Sequence, residues 1–203
     1  MLVDALNAAA LTRRGLWMAL LYASSSRPLL AADDATAAAC GRATGSDGAD
    51  IVYDAAGYLS SAEYTRLVRI IRLGEEQTGV RIRVLTRTRL SDEWTFDPPA
   101  VRCQLGIAAG DRDNTVLLVG DRGIAGALEA GSTFLSFQQV GTNVRLSLPD
   151  VWFARLKQEY GRRSFIEKFG EGASLIVAVE LMLTCLRNEE GYCTAVPPAS
   201  TYF

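Results

Sequence analysis

The stretch LSSAEYTRLVRIIRLGEEQTGVRIRVLTRTR, residues 59–89, decides the class of fold because it predicts a helix followed directly by a strand. Ser60 at the N-cap and Glu63 three residues later fit a capping box, and Gly79 fits a helix end, so the helix should run to about Thr78. Residues 80–89 then alternate with the period of two that is typical of a strand. This order predicts an α/β protein.

The rest of the chain predicts one sheet covered by helices. The continuous apolar run in TVLLVGD, residues 115–121, is typical of a central strand that is buried on both sides. TFLSFQQV and VRLSL, within residues 133–148, predict two more short strands. The last third predicts helices, one beginning near Asp150 and an apolar one over residues 173–186. We expect a single-domain α/β sandwich with one mixed sheet of about four strands, flanked by helices.

The composition excludes several classes of function. The chain has 203 residues, no histidine and a formal net charge of −2. Ser-His-Asp and Cys-His catalysis and a His-bound zinc site are therefore excluded. Any metal would be one that accepts oxygen ligands, such as calcium, magnesium or manganese. The near-neutral charge gives no electrostatic reason to expect a nucleic-acid partner.

The first forty residues have the layout of an export signal. Residues 12–23, TRRGLWMALLYA, place paired arginines before a short apolar run, as in a twin-arginine signal. The run is too short for a transmembrane helix, so we expect none in the mature protein. The alternative is an N-terminal amphipathic helix of a soluble protein. We divide the chain into a signal and linker (residues 1–40), a folded domain (residues 50–195) and a C-terminal tail (residues 196–203).

The cysteines predict one disulfide. Cys185 and Cys193 lie eight residues apart, around the link between the final helix and the tail. In an oxidising compartment they would close a small loop and hold the tail. Cys40 and Cys103 are left over, and the sequence does not fix their redox state.

Acidic and amide side chains predict one candidate site for a cation with oxygen ligands, such as calcium. The loop GDRDN supplies Asp111, Asp113 and Asn114 ahead of the central strand. Asp54 could join them from the neighbouring segment, and a bound cation could activate water for the hydrolysis of a phosphomonoester. The alternative is structural, because Asp and Asn are ordinary turn formers. For Asp54 we favour the structural role, capping the turn at Gly57.

Arginines crowd the predicted helix and strand. On the strand they share one side, which we expect to be largely solvated, as on an exposed edge strand. Such a surface could dock phosphate, lipid headgroups or an acidic partner. The alternative is a solvated face that pairs with acids such as Glu75. The members of this anionic-partner face would be Arg66, Arg69, Arg81, Arg83 and Arg87.

The sequence resembles the TPM-domain family, and among its members the small thylakoid-lumen proteins of plants and algae. The likeness covers roughly residues 50–195. It rests on V-x-D-x-A-G-x-L-S from Val52 to Ser60, TGVRIRVLT from Thr78 to Thr86, and D-N-x-V-L-L-V from Asp113 to Val119. The tail adds LPDVWFARLKQEYG, GEGAS and the closing cysteines.

The resemblance implies a place in the chloroplast thylakoid lumen and a part in photosystem assembly, maintenance or repair, with a thylakoid membrane complex as partner. Some relatives are credited with acid phosphatase activity and with calcium binding at an acidic cluster. This chain departs from the family pattern at Thr115, where a glycine is usual. We therefore expect a non-catalytic binding module. The alternatives are a metal-dependent acid phosphatase and, for the location, a bacterial periplasm.

Overall fold

The computed structural model describes residues 50–89, 104–107, 109–124, 128, 131–188, 193 and 195–201. The predicted export signal, Cys40 and Cys103 lie outside these residues. The strands are β1 (Val52–Asp54), β2 (Arg81–Arg89), β3 (Thr115–Ile124) and β4 (Leu135–Val140). The helices are α1 (Ser61–Thr78), α2 (Thr142–Ser147), α3 (Asp150–Tyr160), α4 (Arg163–Phe169) and α5 (Glu171–Leu186), and two 3₁₀ segments span Ala109–Asn114 and Ala199–Thr201.

The four strands form one sheet in the order β1-β2-β3-β4. The first three are parallel, and β4 runs antiparallel to β3. The prediction of one mixed sheet with flanking helices is confirmed. β2 lies inside the sheet, so the expectation that it is an edge strand is wrong.

Helix α1 begins and ends where local chemistry predicts. The Ser60 hydroxyl accepts a hydrogen bond from the Glu63 N–H (3.3 Å), and the Glu63 carboxylate accepts one from the Ser60 N–H (2.9 Å). At the other end, Gly79 adopts φ 68°, and its N–H donates to the carbonyl of Glu75. The capping box and the left-handed glycine therefore fix both ends of the helix.

The core lies mainly on one face of the sheet, where the helices pack. Leu67 and Ile71 of α1 and Leu175, Val179 and Met182 of α5 are fully buried. A smaller apolar cluster covers the opposite face, formed by Leu85, Leu105, Ile107, Leu117 and Val119. β2 and β3 are therefore covered on both sides, which explains the apolar run in β3.

One expectation about local structure was wrong, and one strand was missed. VRLSL forms the end of helix α2 and its C-cap, Leu148; Val144 and Leu148 are buried, whereas Leu146 is 68% exposed. A strand would place all three on one side, but helical spacing separates Leu146 from the other two. The three-residue strand β1 was not predicted, since it is too short for its period to be read.

Among the described residues, no single helix has both the length and the hydropathy of a membrane span. Helices α4 and α5 reach them only when joined, and the two are bent by 110° relative to one another.

Cys185 and Cys193 form the predicted disulfide, with their Cα atoms 5.5 Å apart. The tail is also held by hydrogen bonds. The Tyr160 hydroxyl donates to the carbonyl of Pro197 (2.8 Å), and the Ala199 N–H donates to a carboxylate oxygen of Glu159 (3.3 Å). Ala199 is buried. The tail therefore packs as part of the folded domain as far as the second 3₁₀ segment.

Replacing Cys185 and Cys193 together by alanine should lower the free energy of unfolding by about 2–3 kcal/mol, because a loop of this size loses its closure in the unfolded chain. Urea unfolding of the oxidised protein and the double variant measures the difference. Equal free energies of unfolding would contradict the prediction.

Candidate functional site at the carboxyl edge of the sheet

The carboxyl ends of β1, β2 and β3 meet at one edge of the sheet. Register pairs Asp54 with Thr86, and Arg87 with Asp121. This is the edge at which open α/β sheets usually bind ligands. A ligand site formed by Asp54 would lie at this edge.

Asp54 is already bound by its own turn. Its two carboxylate oxygens accept hydrogen bonds from the N–H groups of Tyr58 and Leu59, each at 3.0 Å, and a further bond from the Thr86 hydroxyl. Gly57, within that turn, adopts φ 68°, which favours glycine. Asp54 thus caps the turn into α1, the structural role that the sequence analysis favours for it.

Thr86 joins the turn to the sheet. It is fully buried, and its hydroxyl oxygen accepts a hydrogen bond from the Ala56 N–H (3.1 Å) while donating to Asp54. Tyr58 reaches the same strand, with its hydroxyl 2.8 Å from that of Thr88. Sequence reasoning missed Thr86, because its partners lie about thirty residues away along the chain.

Arg87 and Asp121 form a buried ion pair on the opposite face of the sheet. The Arg87 Nε lies 2.7 Å from a carboxylate oxygen of Asp121, and the two side chains are only 12% and 5% exposed. The other oxygen of Asp121 accepts a hydrogen bond from the Gly123 N–H (2.7 Å). Since the pair is hydrogen-bonded on both sides of the carboxylate, its charges are compensated within the fold.

The predicted cation ligands do not come together. Asp54 is level with Thr86 and Gly120, whereas Asp113 and Asn114 precede Thr115 at the other end of β3. Since each residue of a strand rises about 3.3 Å, the stretch from Thr115 to Gly120 measures roughly 16 Å. The prediction that Asp54 joins this loop as a ligand is therefore wrong.

The loop itself packs on the start of α2. The Asp113 carboxylate accepts a hydrogen bond from the Thr142 hydroxyl (3.1 Å), and the Asn114 amide oxygen accepts one from the Asn143 amide (2.9 Å). The backbone is close here too, since a Cβ on Gly141 would lie 2.1 Å from the carbonyl oxygen of Asp113. The side chain of Asp111 lies outside what the structure describes. Calcium binding by the loop alone stays a prediction.

The described residues contain no group of three or more Cys, Asp or Glu side chains placed to hold one metal ion. The acids at the carboxyl edge of the sheet, Asp54 and Asp121, point to opposite faces, because successive strand residues alternate. Their arrangement maintains the turn and the sheet.

The comparison with known proteins agrees with this architecture. Residues 52–132 match the family model described as the TPM domain. This part of the chain is therefore similar to TPM domains. The match spans β1, α1, β2 and β3 and ends ahead of β4 and the last four helices. The resemblance that the sequence motifs indicate is confirmed.

Two known proteins are similar to the chain over more than two thirds of its length. The chain is 28% identical over 147 residues to the thylakoid lumenal 15.0 kDa protein 2, chloroplastic, of Arabidopsis thaliana, covering 69% of this chain and 56% of that protein. It thus spans a little more than half the length of this relative. The solution NMR structure of the N-terminal domain of a protein from P. gingivalis shares the fold, with a TM-score of 0.52 and 21% identity over 74% of this chain and 90% of that domain.

The protein does not present the five arginines as one face. Arg83 is buried, donates to the carbonyl of Leu105 (2.8 Å) and forms an ion pair with Glu75. Arg87 forms an ion pair with Asp121, and Arg66 forms one with Glu180 at 2.7 Å. Arg69 and Arg81 remain exposed. The expectation of a solvated arginine side of β2 is wrong, because residues 104–107 cover that face of the sheet.

A groove between α1 and α5 is the surface feature that the sequence analysis missed. One part has a volume of about 400 Å³ and a second of about 230 Å³, and the two share Val177 and Glu180. The first part is mostly apolar, with Ala62, Ala173 and Ile176 among its walls. The available signal was the position of Ile70 and Val177 on the outer sides of their helices, where they stay partly exposed.

Proposed function

We propose that the protein is a thylakoid-lumen accessory protein whose TPM domain is a non-catalytic binding module for a photosystem complex, with a part in its assembly, maintenance or repair. The relative in Arabidopsis thaliana is a lumenal chloroplast protein, and its similarity covers most of this chain. This supports the proposed location.

The state of the acids supports binding over catalysis. General acid–base chemistry needs a carboxylate that can reach the substrate. Asp54 is bound by two backbone N–H groups and Thr86, and Asp121 by Arg87 and the N–H of Gly123. Both carboxylates are thus engaged in holding the fold. The phosphatase alternative requires Asp54 and the GDRDN loop to form one site. They lie instead at opposite ends of the parallel strands.

The groove between α1 and α5 carries the proposal. Its apolar walls would lose water-exposed area on binding, which is the main source of affinity in a helix-in-groove complex. The Arg66–Glu180 ion pair crosses it, with side chains 54% and 39% exposed. An exposed pair of this kind contributes about 0–1 kcal/mol, so a partner can replace it at little cost.

The charges of the groove indicate which side chains an occupant would carry. Arg66 lies on the α1 wall, and Glu180 on the α5 wall. An amphipathic helix of the partner complex fits best if it carries apolar residues at its centre, an acid towards Arg66 and a base towards Glu180. Complementary charges of this kind fix the direction of a helix in a groove.

Val177→Glu should weaken binding to purified photosystem complexes at least tenfold, because it puts a charge on the apolar wall shared by both parts of the groove. Biolayer interferometry with the full chain measures the dissociation constant. Val151→Glu is the matched control, since Val151 is exposed on α3 and does not line the groove. It should bind as the wild type does.

Equal binding by Val177→Glu, or no binding by the wild type, would contradict the proposal. Sedimentation of the free protein adds a further check. A wild-type dimer that Val177→Glu converts to a monomer would mean that the groove holds a second copy of this chain, which also contradicts it.

A further inference from the structure

We propose that a separate pocket between α4 and the C-terminal 3₁₀ segment binds an oxyanion group, a phosphate or sulfate carried by a small molecule or by a lipid headgroup. The pocket has a volume of about 300 Å³. Its walls combine two cations, two hydroxyls and two aromatic rings: Arg162, Lys168, Ser164, Ser200, Phe165 and Phe169. The proposal does not depend on the photosystem partner.

Among the described residues, the two cations have little compensating negative charge close to them. Lys168 lies 4.8 Å from the centre of the Phe169 ring, and no carboxylate in the described part of the chain comes within ion-pair distance of it. Arg162 approaches an oxygen of Glu159 only at 4.0 Å, and that oxygen already accepts a hydrogen bond from the Ala199 N–H. The pocket therefore presents positive charge to solvent.

The neighbouring arginine shows the contrast. Arg163, on the same helix, has its Nε 2.7 Å from a carboxylate oxygen of Glu167 and does not line the pocket. An arginine paired in this way contributes little net field. In the part of the chain that the structure describes, the cations next to the tail are thus Arg162 and Lys168, and neither has a close carboxylate partner.

The remaining walls suit an oxyanion on an organic group. The hydroxyls of Ser164 and Ser200 can donate to its oxygens, and hydrogen bonds from cations to oxyanions are about twice as strong as neutral ones. Phe165 is buried, and its ring lies 4.9 Å from that of Phe169, so the two supply an apolar wall for the attached carbon chain. The volume is at the lower end of the range of about 300–1,000 Å³ for small-molecule sites.

The tail sets the geometry of the pocket. Ser200 follows the buried Ala199, and the hydrogen bonds of Tyr160 and Glu159 hold this segment against α3. The Cys185–Cys193 disulfide ties the start of the tail to α5. Both walls are thus fixed before a ligand arrives, which reduces the ordering cost of binding.

Three titrations of the full chain test the proposal: inorganic phosphate, inorganic sulfate, and vesicles of neutral phosphatidylcholine with or without anionic phosphatidylglycerol. Calorimetry follows the free anions, and co-sedimentation follows the vesicles. We expect saturable binding that Lys168→Gln and Arg162→Gln each weaken about 10–100-fold, as for loss of one charge-assisted hydrogen bond. Arg163→Gln is the matched control and should bind within about twofold of the wild type.

The arms identify the source of the oxyanion. Binding of free anions without vesicles indicates a soluble ligand, and binding of anionic vesicles alone indicates a lipid headgroup. No binding in any arm would overturn the proposal. Equal weakening in all three variants would overturn it as well, because it would indicate a general charge effect. Thermal unfolding confirms that the variants fold, and Val177→Glu should leave this binding unchanged whether or not it affects the photosystem partner.

Discussion

Asp121→Ala should lower the free energy of unfolding by about 3–5 kcal/mol, because it removes the carboxylate that pairs with the Arg87 guanidinium inside the fold. The Arg87 side chain is 12% exposed and has its Nε 2.7 Å from Asp121. The Gly123 N–H loses its acceptor in the same change. Urea unfolding of the wild type and the variant measures the effect.

Removing both charges should cost less than removing one. We expect Arg87→Leu with Asp121→Leu to unfold at a higher urea concentration than Asp121→Ala, because no buried charge is left behind. Glu167→Ala provides the surface control. Its pair with Arg163 has side chains 57% and 68% exposed, and its loss should cost less than about 1 kcal/mol. A change in Asp121→Ala as small as that of this control would show that the pair is not the strong contact we infer.

Local signals made much of the fold predictable. The capping box of α1 and the glycine at its end act within a few residues, so the sequence alone specifies them. The Cys185–Cys193 disulfide joins residues only eight positions apart and is equally local. The continuous apolar run of β3 predicts a buried central strand.

The features that could not be predicted depend on distant parts of the chain. Alternation in β2 shows which residues share a side, but it does not show that Leu105 covers the side with Arg83. The period of VRLSL is compatible with a strand until Val144 and Leu148 meet the core as a helix. In such short segments, tertiary packing outweighs the strand propensity of the residues.

The candidate site shows the same limit. The sequence identifies Asp54 as a polar residue at the start of a turn, but its hydrogen bond to Thr86 spans 32 positions and the Arg87–Asp121 bond spans 34. Which acids converge depends on strand order and direction. Parallel pairing of β1, β2 and β3 places Asp54 and the GDRDN loop at opposite ends.

Asp54→Ala should lower the free energy of unfolding by about 2–4 kcal/mol, because three donors lose their acceptor at once. These are the N–H groups of Tyr58 and Leu59 and the hydroxyl of Thr86. The turn they stabilise leads directly into α1. Urea unfolding measures the loss, and amide hydrogen exchange should show faster exchange at Tyr58 and Leu59.

Asp54→Asn separates a structural role from a ligand role. The amide keeps one acceptor oxygen, so we expect a smaller loss of stability than in Asp54→Ala. Calcium titration by calorimetry supplies the second readout, with Asp113→Asn alongside. About 16 Å along the strands separates Asp54 from the GDRDN loop. Calcium bound by the loop should therefore be lost in Asp113→Asn and retained in Asp54→Asn. Loss of calcium in Asp54→Asn with unchanged stability would mean that Asp54 is a ligand and that the turn does not depend on its carboxylate.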